Sequence, residues 1–312
     1  MKKILSVFVL FLMAAFLVLP ISAFAVEEIH FGTSAVGGIY FQLGMPMCQV
    51  INKYLGKEYH ATAETTIGSV ENIRLLGQGK IQLGLSLPLM AANAIKGAKP
   101  FEEKIPVRIV FRTVPVCNLF VVMASSDIKT VQDLKGKRVN LGQPGGLDQN
   151  SLAILQAYGL TIKDIKASVQ GVGAGVDALK DGKMDAVITT IPLINQLKAT
   201  HDIRVLWADE PHLDKIIAAQ PAYGKWQMPP GMIKDLNEPK WVPDFGSALL
   251  TTESIKPEFV YKITKVLIEH MNELQEMFPD YKTLTKEMAA QVLGAPLHEG
   301  SMKYFKEVGL LK

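Results

Sequence analysis

The sequence predicts an α/β protein made of two lobes of similar construction, and three observations support that prediction. Short apolar segments alternate with helical stretches, which is typical of sheets whose strands are joined by helices. Two motifs occur twice, in the same order along the chain. Residues 111–124 and 243–252 are long enough to cross between lobes. Such paired crossings form a hinge that lets lobes close around a ligand.

The alternation of elements covers most of the chain. Strands are expected at residues 29–32, 83–87, 108–114, 119–124, 138–141, 186–190, 205–208 and 247–251. Helices are expected at residues 44–55, 69–77, 149–158, 175–180 and 257–277. The stretch 226–243 is rich in Pro and aromatic residues and is predicted to be a surface loop.

The repeated motifs indicate duplication. Residues 76–86 and 179–189 both run from a helix end through a Gly-Lys turn into a buried strand that ends on a hydroxyl side chain. Upstream of each, residues 31–38 and 141–146 form a strand that ends in a glycine-bearing polar loop before a helix. Ligands of open α/β sheets bind beyond the carboxyl ends of strands. Both sets of loops are therefore expected to face one cleft.

The N-terminus predicts export. Lys2 and Lys3 precede an apolar run over residues 4–19, and Ala23-Phe24-Ala25 has the small residues of a peptidase site, so residues 1–25 read as a cleaved signal peptide rather than a membrane anchor. Lobe 1 is then expected to comprise residues 26–115 and 247–312, and lobe 2 residues 116–246.

The composition excludes several classes of function. Removing the leader lowers the net charge from +3 to +1, which gives no electrostatic footprint for nucleic acid. No nucleotide, zinc-protease, hydrolase or CxxC signature occurs, and Gly171-Val-Gly173-Ala-Gly175 has the wrong spacing for a dinucleotide site. We therefore expect a soluble monomer without cofactor or metal that is not an enzyme. Cys48 and Cys117 are expected to be free, buried thiols.

Three glycine-bearing loops carry the candidate binding residues. Each opens a helix, whose unpaired amides and positive dipole end suit a carboxylate or phosphate. An ordinary strand-to-helix turn, or capping by Ser69, is the alternative for each loop. The candidates are Thr33, Ser34, Gly37, Gly38 and Tyr40 in the first loop, Thr66, Gly68, Ser69 and Asn72 in the second, and Gln143, Gly145, Gly146 and Asp148 in the third.

At these loops the chain resembles the TAXI family of solute-binding proteins, which serve TRAP-type transporters. The resemblance rests on G-T-S-A-V-G-G-I-Y at residues 32–40, T-I-G-S-V-E-N at residues 66–72, D-L-K-G-K-R-V at residues 133–139 and D-G-K-M-D-A at residues 181–186. It extends from about residue 29 to the C-terminal helix.

The resemblance implies a type II periplasmic-binding fold in the periplasm. It also implies a small carboxylated ligand, such as a dicarboxylate, glutamate or 2-oxoglutarate, delivered to a TRAP membrane permease. The loop residues of lobe 1 would line the ligand site, together with Ser86 at a strand exit. The corresponding hydroxyl side chains of lobe 2 are Thr189 and Thr190.

Two features of the chain bear on the ligand. The family's third loop resembles G-x-x-G-S-G-T, but here Leu147 and Asp148 replace small or hydroxyl residues. A carboxylate at Asp148 would repel a second ligand carboxylate unless it pairs with an ammonium group. Arg112 is either a bidentate partner for a ligand carboxylate or a member of a surface ion pair.

Three hypotheses about function remain open at this stage. The first is a transport receptor, and the second is a sensory binding protein that docks on a receptor kinase. The third is an exported enzyme built on the same fold.

Overall fold

Two five-stranded mixed sheets organise the chain. A computed structural model describes residues 26–36, 38–220 and 222–312. The first sheet contains β1 (Glu27–Gly32), β2 (Tyr59–Glu64), β3 (Leu83–Ser86), β4 (Val107–Arg112) and β12 (Ala248–Thr252). The second contains β5 (Asn118–Met123), β6 (Arg138–Asn140), β7 (Lys166–Ser168), β8 (Ala186–Thr190) and β9 (Ile203–Leu206). The α/β class predicted from the sequence is confirmed.

The two sheets share one topology. The strand order is β2-β1-β3-β12-β4 in the first sheet and β7-β6-β8-β5-β9 in the second. In each sheet the first three strands of that order run parallel, and the next strand is antiparallel to both of its neighbours. The duplication inferred from short motifs therefore corresponds to two sheets with the same strand order and strand directions, although the antiparallel strand comes last along the chain in the first sheet and first in the second.

Helices join the strands and cover the sheets. In the first half they are α1 (Ile39–Leu55), α2 (Ser69–Gly77) and α3 (Pro88–Lys96). In the second half they are α4 (Leu147–Ala157), α5 (Val172–Lys180), α6 (Ile191–Thr200) and α7 (Glu210–Ala218). The C-terminal part adds α8 (Pro257–Glu269), α9 (Met271–Met277), α10 (Lys286–Ala289) and α11 (Glu299–Glu307).

Helix α1 shows how the sequence produces these elements. Its buried side chains include Leu43, Met47, Val50 and Ile51, which fall on one face at helical spacing. That face packs against β2 and α8, so the C-terminal helices join the first half of the molecule.

Two short segments connect the sheets side by side. The chain passes from β4 to β5 over residues 113–117 and returns to β12 over residues 245–247. The amide of Phe245 donates to the carbonyl of Val116 at 2.8 Å, and the amide of Thr113 donates to the carbonyl of Ser247 at 2.8 Å. These backbone bonds bind the two crossings together as a hinge. The lobe boundaries given above stay predictions.

The loop predicted over residues 226–243 is confirmed for residues 229–239 and wrong at both ends. The structure has a hairpin there, formed by β10 (Gly224–Met228) and β11 (Lys240–Asp244). The three-residue Pro229-Pro230-Gly231 run lies between the strands, where a missing amide donor costs no ladder bond. The Pro-rich composition of the connection concealed the strands on either side of it. The single helix predicted over residues 257–277 is also wrong, because it is divided at His270 into α8 and α9.

Other predictions concern buried thiols and membrane segments. Cys48 and Cys117 are both buried and unpaired, as expected. Burial raises the pKa of Cys48 to about 12 and that of Cys117 well above its usual value, so both remain protonated thiols. Among the described residues no helix has the length and apolarity that a membrane crossing requires. The predicted signal peptide at residues 1–25 lies outside the described residues.

Candidate functional site

A cavity lies where the loops of the two sheets meet. Its volume is about 130 Å³, close to the roughly 150 Å³ of an engineered protein cavity that holds benzene. Lining residues numbered 34 to 87 form what we call the first wall, and those numbered 116 to 190 form the second wall. The first wall consists of Ser34, Gly38, Ile39, Tyr40, Ile67, Gly68, Ser69 and Leu87. The second consists of Val116, Asn118, Gln143, Pro144, Gly145, Gly146, Leu147, Asn150, Val172 and Thr190.

The loop after β1 presents the N-terminus of α1 to the cavity. Ser34 Oγ accepts a hydrogen bond from the amide of Phe41 at 3.1 Å, so the serine occupies one donor of the first helical turn. The amides of Ile39 and Tyr40 have no hydrogen-bond partner among the described residues. Unpaired amides at a helix N-terminus attract negative groups.

The loop after β2 brings a second helix start to the same wall. Ser69 Oγ accepts from the amide of Leu87 at 3.1 Å and lies 3.3 Å from the hydroxyl oxygen of Tyr40. Burial raises the pKa of Tyr40 well above its usual value, and the Ser69 hydroxyl offsets only part of that rise. Tyr40 is therefore a neutral hydroxyl that can donate to an anion. The first wall therefore offers the amides of Ile39 and Tyr40 from one helix start and the hydroxyls of Tyr40 and Ser69.

The loop after β6 behaves differently, although it also opens a helix. Asp148 Oδ1 accepts from the amides of Gly145 and Gly146, both at 3.0 Å, and its Oδ2 accepts from Gln149 Nε2 at 3.0 Å. Gly145 has φ +107°, a conformation that favours glycine and turns its amide toward the carboxylate. The amides of Gly145 and Gly146 are thus already hydrogen-bonded to a carboxylate of the same loop.

Two asparagines complete the second wall. Asn150 Nδ2 donates to Asn118 Oδ1 at 2.8 Å, and both side chains are almost fully buried. The second oxygen of this pair, Asn150 Oδ1, has no partner among the described residues. Besides these two amides, Gln143 and Thr190, this wall presents the apolar side chains of Val116, Pro144, Leu147 and Val172.

The cavity is uncharged. Among the described residues no Lys, Arg, His, Asp or Glu lines it. The described residues also contain no group of three or more potential metal-ligating side chains. The arrangement can hold one negative group by neutral donors on the first wall and enclose an apolar body against the second.

Nine of the candidate residues predicted from the sequence line this cavity. They are Ser34, Gly38, Tyr40, Gly68, Ser69, Gln143, Gly145, Gly146 and Thr190. The three loops therefore meet at one place. That these residues bind a ligand stays a prediction. Gly37, another candidate, lies outside the described residues.

Three other candidates hold the loops together behind the first wall. Asn72 Nδ2 donates to the carbonyls of Thr33 at 2.7 Å and Leu85 at 2.8 Å. Thr33 Oγ1 donates to the carbonyl of Glu64 at 2.8 Å, and Thr66 Oγ1 lies 2.8 Å from Asn72 Oδ1. These side chains are buried, so they position the loops instead of facing the cavity.

The remaining candidates also lie away from the cavity. Ser86 is fully buried and donates to the carbonyl of Leu87 at 3.2 Å, and Thr189 is buried one residue before the lining Thr190. In both cases the alternation of a strand directs the residue inward. Asp148 does not line the cavity, because its carboxylate folds back onto Gly145 and Gly146.

The position of Arg112 differs from both alternatives proposed for it, a ligand-binding residue and a member of a surface ion pair. Arg112 is a buried residue at the hinge whose guanidinium contacts Asp244 and Gln291, so it neither lines the cavity nor belongs to a surface pair. Asp244 Oδ1 also accepts from the amides of Val116 at 2.9 Å and Gly246 at 2.8 Å. Burial raises the pKa of Asp244, while Arg112 and these amides act against the rise. The pair therefore fastens both crossings.

Sequence reasoning missed several lining residues. Asn118, Asn150, Leu87 and Val116 carry no motif, so no sequence signal identifies them. Val172 differs, because the offset of 103 that relates the repeated units places Gly68 and Ser69 on Gly171 and Val172. Extending the repeat alignment upstream would have found it.

Solved structures of periplasmic binding proteins share this fold. The aliphatic sulphonate-binding protein SsuA of Escherichia coli has a TM-score of 0.51 and 19% identity, over 81% of this chain and 79% of that chain. PhnD1 from Prochlorococcus marinus, in complex with methylphosphonate, has a TM-score of 0.57 and 11% identity, over 91% of this chain and 99% of that chain. A binding protein component of an ABC phosphonate transporter from Pseudomonas aeruginosa has a TM-score of 0.56 and 13% identity, over 82% of this chain and 79% of that chain. These likenesses show the fold.

The family follows from the sequence match. Residues 31–309 match the model of the NMT1-like family, and the chain belongs to that family. The expected periplasmic solute-binding fold is confirmed, whereas the finer TAXI assignment stays a prediction.

Proposed function

We propose that this chain is an extracytoplasmic receptor that encloses one small organic anion or amino acid between its two walls and delivers it to a TRAP-type permease. The observation that carries the proposal is the cavity itself. Loops from both sheets line it, and its first wall offers helix-start amides that have no partner among the described residues, together with the hydroxyls of Tyr40 and Ser69.

The physical basis is preorganisation. The donors of the first wall are held by the buried network around Asn72, so ordering them costs little when a ligand binds. The hinge formed by Val116, Phe245 and their neighbours would let the second wall close over the ligand. The motif resemblance at residues 32–40 and 66–72 supports a TRAP-type partner. Among the described residues that line the cavity, only hydroxyls could act as a nucleophile, and this supports a receptor over an enzyme.

A melting screen tests the proposal. The exported protein is heated with butyrate, ethanesulphonate, methylphosphonate, alanine, succinate or glutamate in turn. A true ligand at 100 times its Kd stabilises the protein by about 2.7 kcal/mol, or roughly 5 °C for a chain of this size. We expect at least one compound to give such a shift and to be recovered unchanged. No shift with any compound would overturn the proposal, and turnover would favour the exported enzyme.

A second candidate is a receptor for sulphonates or phosphonates that serves an ABC transporter. Three proteins with the same fold support it: one is an aliphatic sulphonate-binding protein, one is in complex with methylphosphonate, and one is a component of an ABC phosphonate transporter. The same screen discriminates, because a shift confined to ethanesulphonate or methylphosphonate favours this candidate.

Delivery and export need separate measurements. Mass spectrometry of the exported protein should find residue 26 at its N-terminus if the predicted leader is cleaved. Transport requires that uptake of the bound compound be lost when the gene is deleted. Unchanged uptake together with loss of a transcriptional response would favour the sensory alternative.

A further inference from the structure

We propose that Asp148 restricts the cavity to ligands that carry a single negative group. This inference rests on the proposed function, since it specifies the ligand of the same site. It makes Asp148 a specificity-determining residue that acts through the loop it caps.

The first step is the occupation of the second wall's donors. Oδ1 of Asp148 takes the amides of both Gly145 and Gly146, and Oδ2 takes the side-chain amide of Gln149. Gly145 and Gly146 line the cavity, so their loop would otherwise offer an anion site opposite the first wall. The protein's own carboxylate already occupies the two amide donors that a second ligand carboxylate would need.

The second step is the lack of a compensating cation. No basic side chain lines the cavity among the described residues, and the charge of the nearby hinge residue Arg112 is committed to Asp244. A second carboxylate would lose hydration, meet the like charge of Asp148 and find no cationic partner among the described lining residues. Each of these effects opposes binding of the charged form.

The third step concerns the unpartnered oxygen of Asn150. Its side chain is 1% exposed, and its Oδ1 has no hydrogen-bond partner among the described residues. This oxygen needs a hydrogen-bond donor, and a second anionic group of the ligand would bring only further acceptors. Binding of a second anion beside Asn150 is therefore unfavourable. The first wall therefore receives the anion, and the second wall receives the neutral part of the ligand.

Butyrate and succinate provide the test, because they share a four-carbon chain and differ by one carboxylate. Calorimetric titration of the exported protein at pH 7.5 should give a Kd for butyrate at least tenfold below that for succinate. Asp148→Asn keeps an oxygen acceptor but removes the charge, and we expect it to reduce this ratio about tenfold. Asp148→Ser, which frees both amides, should reduce it at least as far.

Asp164→Asn is the matched control. Asp164 also accepts a loop amide in the second half, from Thr161 at 2.9 Å, but it does not line the cavity. This variant should leave the ratio unchanged. Melting of each variant without ligand verifies that it folds, and the two substitutions at Asp148 provide independent measurements.

The outcomes separate the inference from the proposed function. Succinate binding at least as tightly as butyrate, or a ratio unmoved by both Asp148 variants, would overturn the inference and leave the receptor intact. If neither compound binds, the number of negative groups on whichever screened compound does bind decides, and a compound with two such groups overturns the inference. If nothing in the screen binds, the proposed function fails and the inference fails with it.

Discussion

The two walls of the cavity are built on the same topology and differ in what their helix starts have left available. On the first wall, the amides of Ile39 and Tyr40 are unpartnered among the described residues. On the second wall, the amides of Gly145 and Gly146 are bonded to Asp148. A repeated scaffold thus supplies two potential anion sites, and one side chain decides that only one remains open.

The comparison also separates positioning from binding. The first wall is supported from behind by Asn72, which joins two loops and a strand through buried hydrogen bonds. The second wall is attached through the hinge, where Asp244 gathers Arg112, Val116 and Gly246. The first wall is fixed from behind by a buried asparagine, and a buried ion pair fastens the crossing segments that connect the two walls. Three predictions test this difference, in order of decreasing effect.

The largest effect is expected at the hinge. Arg112→Ala would leave Asp244, whose side chain is 2% exposed, buried without a countercharge. We expect the free energy of unfolding to fall by about 3–5 kcal/mol, measured by urea denaturation.

Arg108→Ala is the control for that prediction. Arg108 lies on the same strand and pairs with Glu253, whose side chain is 51% exposed. Loss of this pair should cost about 0–1 kcal/mol. If the two variants lose the same free energy of unfolding, the buried hinge pair stabilises the protein no more than the exposed pair does.

A smaller effect is expected from the first wall's hydroxyl. Tyr40→Phe removes a neutral donor, and a hydrogen bond to a charged group contributes about 1.5 kcal/mol or more. The Kd of the compound that gives the largest melting shift should therefore rise about tenfold, measured by calorimetry. Tyr59→Phe, on β2 and away from the cavity, should leave that Kd unchanged. A similar Kd for both variants would place the anion elsewhere than on the first wall.

The sequence predicted much of this site because glycine loops and helix starts are local features. The helix bounds Ser69–Gly77 were predicted without error, and all three loops meet at the cavity. Long-range partners could not be predicted in this way. Arg112 and Asp244 are separated by 132 residues, and nothing near Arg112 in the chain shows which acid it meets. The contact of the Asp148 carboxylate with the amides of Gly145 and Gly146 accompanies the positive φ of Gly145, which a sequence pattern leaves open.

The smallest effect is expected where the walls approach each other. A Cβ added at Gly146 would lie 3.1 Å from Leu87 Cδ1 on the opposite wall, so Gly146→Ala should hold the walls slightly apart. We expect the Kd of the same compound to rise about threefold, with little change in stability, because a small displacement costs less than a lost hydrogen bond. Gly173→Ala, inside α5 with open space around its Cβ, should instead raise stability by about 0.5–1 kcal/mol and leave the Kd unchanged. If Gly146→Ala binds as tightly as the parent, ligand capture does not require the close approach of Gly146 to Leu87.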